Sequence, residues 1–387
     1  MDNQPTAAAG PDVYPYLQKL YSLGGSDMFF SVGTQPQLKV EGLTHPVGSE
    51  VMKPGAVQHM AYQLMTQKQV AEFERDLEMN LAVSVGGSGR FRINVYYQRG
   101  EVSMVARLIK NEIPPISALG LPSQLEKLAL MDRGLILVVG AAGSGKSTTL
   151  ASMLDHRNSN KDGHILCIED PIEFLHKHKK SIVNQREVGL DTHAFHNALK
   201  NAMREAPDVI LIGEILDAVT MESAIAFAET GHLCMATLHS NNADQTLDRI
   251  LNFFPESAHK NVLMNLSLNL KAIISQRLVV GKDGKRLPAA EILINTPMIR
   301  DLIRRGEVHE IKDAMDKSLQ EGMQTFDQSL FRLYKEGKVE LEEALRKADS
   351  RDGLALKIRL SEGATGEHDP YADMYGGAGP GSETQAY

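Results

Sequence analysis

The sequence predicts an α/β protein: a parallel β-sheet covered by helices on both faces, with a smaller α+β domain before it and a C-terminal helical bundle after it. Three observations predict this fold class. After residue 134, near-continuous apolar runs alternate with helical patterns, as is typical of parallel strands buried on both faces. A glycine-rich turn joins the first of these runs to a helix. Further upstream, alternating polar and apolar residues predict an antiparallel hairpin.

Length and composition predict how the chain is divided. Its 387 residues are enough for two to three domains. The N-terminus is small and polar, and the tail is acidic, rich in Gly and Tyr, and without Lys or Arg, so both are expected to be disordered. The expected segments are a disordered N-terminus (1–12), a first domain (13–110), a Pro- and Gly-rich linker (111–123), a second domain (124–360) and a disordered tail (361–387).

The net charge of −8 argues against non-specific nucleic-acid binding as the main activity, because such proteins are usually basic. No apolar run approaches the ~20 residues of a membrane helix, so we expect a cytoplasmic protein, peripheral to a membrane at most. Cys167 and Cys234 lie in apolar runs and are expected to be reduced core residues.

In the first domain, the apolar spacing predicts a helix at Tyr14–Leu23, strands at Asp27–Val32 and Gln37–Glu41, and helices at Pro54–Met65 and Gln67–Leu77. The hairpin follows. A tight turn at Arg99-Gly100 would pair residue i with residue 199 − i, which gathers the apolar residues on one face. Arg92 then lies opposite Arg107 on the other face. Two facing arginines repel, so the pair is either a water-screened strand face or a site for an anion.

The second domain opens with a short helix at Gln124–Met131 and the apolar run Leu135–Val139. The phosphate-binding pattern G-x-x-x-x-G-K-[ST] follows, in its required context of strand, loop and helix. The glycines let several backbone N–H groups point at one phosphate, the lysine adds charge, and the first hydroxyl is placed for Mg²⁺. The loop residues are Gly140, Ala141, Ala142, Gly143, Ser144, Gly145, Lys146, Ser147 and Thr148.

Three later strands end in residues suited to catalysis. Predicted strands at His164–Ile168, Val209–Ile212 and Leu233–Leu238 are followed by Glu169, by Glu214 and by His239. Because parallel strands present their carboxyl ends at one edge of a sheet, these side chains should meet the phosphate loop there. The pattern predicts a nucleotide site.

The remaining pattern predicts mainly helices. Thr192 is expected to cap a helix through Arg204, Asp217 or Thr220 one to Glu229, and Ser240, Asn241 or Asn242 one toward Leu251. Further expectations are a helix at Pro255–Ser275, a hairpin of Arg277–Val280 with Leu287–Ile294, and helices at Pro297–Arg305, Glu307–Lys317 and Phe326–Lys335. The histidines at 176, 178, 193 and 196 lack a complete ligand set in sequence, so a solvated basic hairpin is expected around 176–180 rather than a metal site.

Phosphoryl transfer to water also needs carboxylates for metal and water and a cation for the transition state. Glu169 and Glu214 are the candidate carboxylates, with the choice of base left open. Arg92 and Arg107 are the candidate cations, supplied in cis or by a neighbouring subunit. No Asn-Lys-x-Asp element specific for guanosine is present, which favours ATP over GTP.

Several motifs carry a family resemblance. The segments that resemble the Asp box, Walker B motif and His box of secretion ATPases are Glu169–Glu173, Pro207–Glu214, and Thr230–His232 with Thr237–His239. Those similar to the twitching-motility, PilT-like branch are Ile299–Arg304 and Gly322–Asp327. The start at Asp27–Ser31 and the long tail resemble the PilU-type retraction ATPases. The resemblance covers about Tyr14–Leu360.

The resemblance implies a PAS-like N-terminal α+β domain followed by a RecA-like P-loop ATPase domain with a C-terminal helical bundle. It also implies a homo-hexamer that hydrolyses ATP with Mg²⁺ at subunit interfaces and drives disassembly of type IV pili. The implied partners are a retraction ATPase paralogue and the inner-membrane platform protein of the pilus. No nucleic acid is implied, and any membrane contact at the pilus base would be peripheral and through partners.

The resemblance also implies residue roles. Arg92 and Arg107 match the spacing of two arginine fingers in the family, and Glu169 would orient the water. Glu214 and Ser147 would hold Mg²⁺, while His239 would sense the γ-phosphate with His232 nearby.

The sequence departs from the family's Walker B motif at two positions. The family usually continues Gly-Glu-Ile-Arg-Asp-x-Glu, whereas this chain has Leu216 in place of the arginine and Val219 in place of the second glutamate. This favours, as the alternative to a motor, a low-activity nucleotide-binding regulatory subunit that depends on an active retraction ATPase. A nucleic-acid translocase is a third, less favoured possibility.

Overall fold

The computed structural model describes residues 11–317 and 322–362. Its first sheet has six antiparallel strands in the order β3-β2-β1-β6-β5-β4. The elements are α1 (Tyr14–Ser22), β1 (Asp27–Phe30), β2 (Gln37–Val40), β3 (Leu43–Pro46), α2 (Ala56–Leu64), α3 (Gln67–Asp76), β4 (Glu78–Val85), β5 (Gly89–Gln98) and β6 (Glu101–Ile109).

The hairpin of β5 and β6 has the predicted register. Arg92 pairs with Arg107, and the turn residues Arg99 and Gly100 have φ values of 52° and 81°, both in the left-handed region that a two-residue hairpin turn requires. Phe91 and Ile93 are buried on the apolar face, as expected. β4 and β3 were not predicted; β4 pairs with β5 along its whole length.

The second sheet has seven strands in the order β13-β12-β7-β11-β10-β8-β9. Its domain also has 3-10 turns at Ile116–Leu119, Met203–Glu205 and Val308–Glu310. The elements are α4 (Gln124–Ala129), β7 (Gly134–Val139), α5 (Lys146–Asn160), β8 (Gly163–Glu169), β9 (Ser181–Glu187), α6 (Phe195–Ala202), β10 (Val209–Ile212), α7 (Ala218–Glu229), β11 (Leu233–Leu238), α8 (Ala243–Asn252), α9 (Glu256–Asn269), β12 (Leu270–Val280), β13 (Arg286–Ile294), α10 (Pro297–Arg305), α11 (Ile311–Lys317), α12 (Phe326–Lys335), α13 (Leu341–Lys347) and α14 (Arg351–Glu362).

The prediction of a parallel sheet buried on both faces is confirmed. Every residue of β7, β10 and β11 is buried, and β13 is the only strand of this sheet that runs antiparallel to its neighbour. One apolar core lies under α7 to α10 and another under α4 and α5. The carboxyl ends of β7, β8, β10 and β11 therefore meet at one edge, where the site residues lie.

Some predicted elements are wrong in detail. The helix expected through Ser275 ends at Asn269, and β12 begins at Leu270 and pairs with β7. The helix expected from Thr192 begins at Phe195. Asp217 and Asn242 are the caps that were left open. The basic segment 176–180 is not in a hairpin, because it connects β8 to the parallel strand β9.

The segment expected as a linker packs on the second domain. Ile116 and Leu121 are buried in the same core as Leu125, and Ser152 Oγ donates to Pro114 O at 2.7 Å. At the other end, α14 continues through Ser361 and Glu362, which were expected in the disordered tail. The rest of that tail and the first ten residues lie outside the described residues.

Candidate nucleotide site

The loop from Gly140 to Gly145 follows β7 and leads into α5 at Lys146. Gly140 has a φ of 153°, and a Cβ there would lie 2.5 Å from the backbone oxygen of Gln276. A Cβ on Gly145 would lie 2.8 Å from Gln276 Nε2. Residue 276 of β12 therefore supports the loop from behind, and only glycine fits at these two positions.

Lys146 is buried in the loop. Its Nζ donates to Gly140 O at 2.9 Å and to Ala141 O at 3.1 Å, and lies 3.4 Å from His239 Nδ1. Burial lowers the pKa of Lys146, and the charges of Glu214 and Glu173 oppose that shift. The ammonium is thus held at the mouth of the loop, where a phosphate could replace the carbonyl oxygens.

Glu214 and His239 come from adjacent strand ends, after β10 and β11. His239 Nε2 lies 2.9 Å from Glu214 Oε1, while its Nδ1 faces Lys146. Thr237 Oγ1 donates to Gly213 O at 2.5 Å and ties the two strand ends together. The imidazole therefore bridges the acidic and basic groups of the site.

Glu169, at the end of β8, is the most perturbed carboxyl of the site. Burial raises its pKa to about 7, and nearby Glu173 and Glu187 add to the rise. A hydrogen bond from Gln185 Nε2 to Glu169 Oε1, 2.9 Å long, opposes it. A carboxyl with this pKa can exchange a proton near neutral pH.

These groups line one cavity of about 250 Å³, bounded by the loop, α5 and the three strand ends. The cavity is lined by Gly143, Lys146, Ser147, Glu169, Glu214 and His239, among others. A cation, a hydroxyl and two carboxylates suit a magnesium–phosphate group, since Mg²⁺ takes one or two protein ligands besides phosphate and water. Ser144 Oγ, buried without a partner among the described residues, is a further polar atom within the loop.

Arg92 and Arg107 line a second cavity of about 300 Å³. This cavity shares Pro171, Glu173 and Phe174 with the first one and also reaches Thr148. The arginine pair of the first domain thus lies beside the nucleotide cavity of the same chain. Of the two alternatives for this strand face, the location favours a site for an anion.

Asp27 of β1 holds Arg107. The two residues are cross-strand partners, and Arg107 Nε donates to Asp27 Oδ1 at 2.6 Å. The Asp27 side chain is 7% exposed, against 64% for Arg107. Sequence reasoning missed this partner, because β1 and β6 are some 80 residues apart in the chain.

His232 is not brought to this site. It precedes β11, so it lies at the opposite end of that six-residue strand from His239, about 20 Å away. His232 Nδ1 instead lies 3.2 Å from Phe227 O. The expectation that His232 lies near His239 is wrong within this chain.

Two glutamines were also missed, Gln185 beside Glu169 and Gln276 behind the loop. Neither belongs to a charged or glycine-rich pattern, so the sequence carried no signal for them. Within the described ranges there is no cluster of three or more metal-ligating side chains, and no helix is long and apolar enough to cross a bilayer.

Comparison with known proteins identifies the family. The family model described as "Type II/IV secretion system protein" matches residues 7–346. The chain is 51% identical to the type IV pilus ATPase PilU of Pseudomonas aeruginosa, over 91% of this chain and 92% of that protein. It is 42% identical to the retraction ATPase PilT of the same organism, over 84% and 94% of the two chains.

Among solved structures, the pilus retraction motor PilT with bound ADP superimposes with a TM-score of 0.82 at 41% identity, covering 89% of this chain and 98% of that one. The predicted α/β fold of a secretion ATPase is confirmed by this match. The chain therefore belongs to the type II/IV secretion system protein family, among its PilT- and PilU-like pilus retraction ATPases.

Proposed function

We propose that this chain is an ATP-hydrolysing motor of type IV pilus retraction and twitching motility, acting as the PilU-type accessory retraction ATPase, and that it works as a homo-hexamer. The observation that supports this most is the cavity in which Lys146, Glu169, Glu214 and His239 converge. The proposed partners are a retraction ATPase paralogue and the platform protein of the pilus. The proposed location is the cytoplasmic face of the inner membrane at the pilus base.

The geometry supports the following residue roles. Backbone N–H groups of Gly140–Thr148 and the Lys146 ammonium would bind the nucleotide phosphates, and Ser147 and Glu214 would hold Mg²⁺. The ion would supply positive charge that offsets the charge of the phosphates. His239 contacts both Glu214 and Lys146. Its contact with Lys146 would change when the lysine leaves the loop carbonyls to bind a phosphate, so His239 would sense the γ-phosphate.

Of the two carboxylates, Glu169 is the better general base. Its pKa of about 7 lets it take a proton from the attacking water and release it at neutral pH. Glu214 is already engaged by His239. We assign proton acceptance to Glu169 and metal binding to Glu214.

Arg92 and Arg107 supply the positive charge that the transition state requires. Hydrolysis would draw this strand face toward the phosphates, because negative charge shifts toward the leaving oxygen in the transition state. A site built from two domains in this way couples chemistry to movement of one domain against the other.

The steady-state ATPase rate of the purified protein tests the proposal. Glu214→Gln replaces a proposed Mg²⁺ ligand and is expected to lower kcat by about 100-fold or more while ATP still binds. Glu222→Gln, at an exposed position of α7, is the matched control. If wild type and Glu214→Gln share the same near-zero rate, the motor fails and the regulatory-subunit alternative is favoured.

A further inference from the structure

One side-chain amide, that of Gln185 on β9, joins three points around the nucleotide cavity. Gln185 Nε2 donates to Glu169 Oε1 at 2.9 Å and to Phe174 O at 2.8 Å, and Gln185 Oε1 accepts from the backbone N–H of His176 at 2.9 Å. The partners fix the orientation of the amide. A carbonyl oxygen can only accept and a backbone N–H can only donate, so the amide has one orientation that satisfies all three.

The first of these points is the carboxyl proposed as the base. Its charged surroundings are Asp170 and Glu173 in the β8–β9 loop, Glu187 on β9, Lys146 on α5, and Glu214 with His239 at the next strand ends. His176 of the same loop also lines the cavity, and its pKa is lowered to about 4 by burial, so it stays neutral. The bond from Gln185 favours the charged form of Glu169 against burial and the neighbouring carboxylates.

The other two points belong to the segment 174–176, which contacts the first domain. Phe174 forms a β-bridge with Lys110, and Leu175 N donates to Lys110 O at 3.1 Å. Lys110 Nζ also lies 5.8 Å from the centroid of the Phe174 ring. Lys110 directly follows β6, the strand that carries Arg107, so the segment reaches the arginine strand through backbone contacts.

We propose that Gln185 is a positioning residue that holds Glu169 and the segment 174–176 in one arrangement, so that the base and the docking of the arginine strand are set together. The proposal rests on the proposed role of Glu169. When the first domain moves at Lys110, residues 174–176 move with it. The Gln185 amide, bonded to this segment, then shifts the Glu169 carboxylate. The carboxylate is then oriented for the water only when the arginine strand is docked.

Gln185→Leu tests this, because it removes all three bonds at similar volume. We expect kcat to fall by about 10- to 100-fold, as misplaced catalytic groups do, with the Kd for nucleotide changed less than about threefold. The acidic limb of the kcat/KM profile should also move to higher pH, because Glu169 loses the donor that favours its charged form. Asn184→Leu, the exposed neighbour on β9 that contacts His164 Nε2, is the matched control and should change neither.

Gln185→Glu is the second variant. It keeps the acceptor for His176 N but places a carboxylate against Glu169, so the acidic limb should move further than in Gln185→Leu. If Gln185→Leu does not fold, this variant decides alone. An acidic limb at the wild-type pH in the folded variant overturns the proposal, since a merely structural role would lower kcat without moving it.

Glu169→Gln distinguishes the role of Glu169 as the base from the role of Gln185 in positioning it. If it turns over ATP at the wild-type rate, the assignment of Glu169 as the base fails. If it is inactive while Gln185→Leu matches wild type in rate and pH profile, the base stands and only the role of Gln185 is overturned.

Discussion

At the scale of single residues, the arginine pair depends on a buried carboxylate. Asp27 bonds Arg107, which faces Arg92 across the hairpin. Asp27→Asn keeps the shape and an acceptor for Arg107 Nε but removes the charge that offsets the repulsion between the arginines. We expect kcat to fall about 3- to 10-fold, and the deficit to shrink at high salt, which screens the pair. The ATPase rate across a salt series measures this.

A surface pair provides the control for that experiment. Asp76 bonds the exposed Arg75, so Asp76→Asn also removes a carboxylate from an arginine, but at a position that lines neither cavity. At every salt concentration, Asp76→Asn should have the same ATPase rate as wild type. A salt-independent deficit in Asp27→Asn would contradict the electrostatic account.

The sequence predicted the facing arginines but not the side chains that support them. A hairpin register follows from local alternation and one turn, so Arg92 and Arg107 could be paired from 20 residues of pattern. Asp27 and Gln185 could not be found in this way. Their partners lie on other elements, and a lone Asp or Gln at a strand position has no local signature.

At the scale of elements, the phosphate loop depends on the strand behind it. Gly140→Ala would bring a Cβ within 2.5 Å of the Gln276 backbone oxygen on β12, which cannot move without disturbing the sheet. Gly143→Ala also has a positive φ, 73°, but its Cβ would meet nothing within 4 Å. We expect Gly140→Ala to weaken nucleotide binding at least tenfold more than Gly143→Ala, as measured by titration with labelled ADP. Equal losses would mean that backbone conformation alone, and not β12, sets the loop.

Strands and helices were predicted correctly where burial alone determines which positions are apolar. They were predicted wrongly where the pairing of distant strands determines the structure. β10 and β11 were predicted residue for residue, because strands buried on both faces of a parallel sheet are apolar at nearly every position. Leu270–Ser275 continues the apolar pattern of the preceding helix. It is nevertheless a strand, because its backbone pairs with the edge of β7. β9 was not predicted; it is a largely polar strand at the edge of the sheet.

At the scale of the whole molecule, a second buried carboxyl predicts how stability depends on pH. Burial raises the pKa of Glu291 to about 7, although Ala243 N and Ser275 Oγ both donate to it. A carboxyl whose folded pKa is above its unfolded value of 4.5 stabilises the fold below pH 4.5. That contribution is lost as the pH rises through 7. The loss amounts to roughly 3 kcal/mol at 1.4 kcal/mol per unit of pKa.

Glu291→Gln keeps the oxygen that accepts both bonds and carries no charge at any pH. We expect the variant to be more stable than wild type by about 1–3 kcal/mol at pH 8 and to match it near pH 4, below the unfolded pKa. Urea denaturation at the two pH values measures the difference, with Glu310→Gln as an exposed control. An unchanged dependence on pH in Glu291→Gln would contradict a buried, titrating Glu291.

β12 has a consequence for how load travels through the molecule. Thr149 Oγ1 donates to Gln276, which supports the phosphate loop. The next residue, Arg277, bonds Asp349 between α13 and α14 and the carbonyl of Lys347 at the end of α13. Two consecutive residues of β12 thus contact the phosphate-loop region on one side and the segment of α13 and α14 on the other. Because a β-strand is extended and hydrogen-bonded to its neighbours, we expect a displacement of α13 and α14 to reach the phosphate loop along this strand.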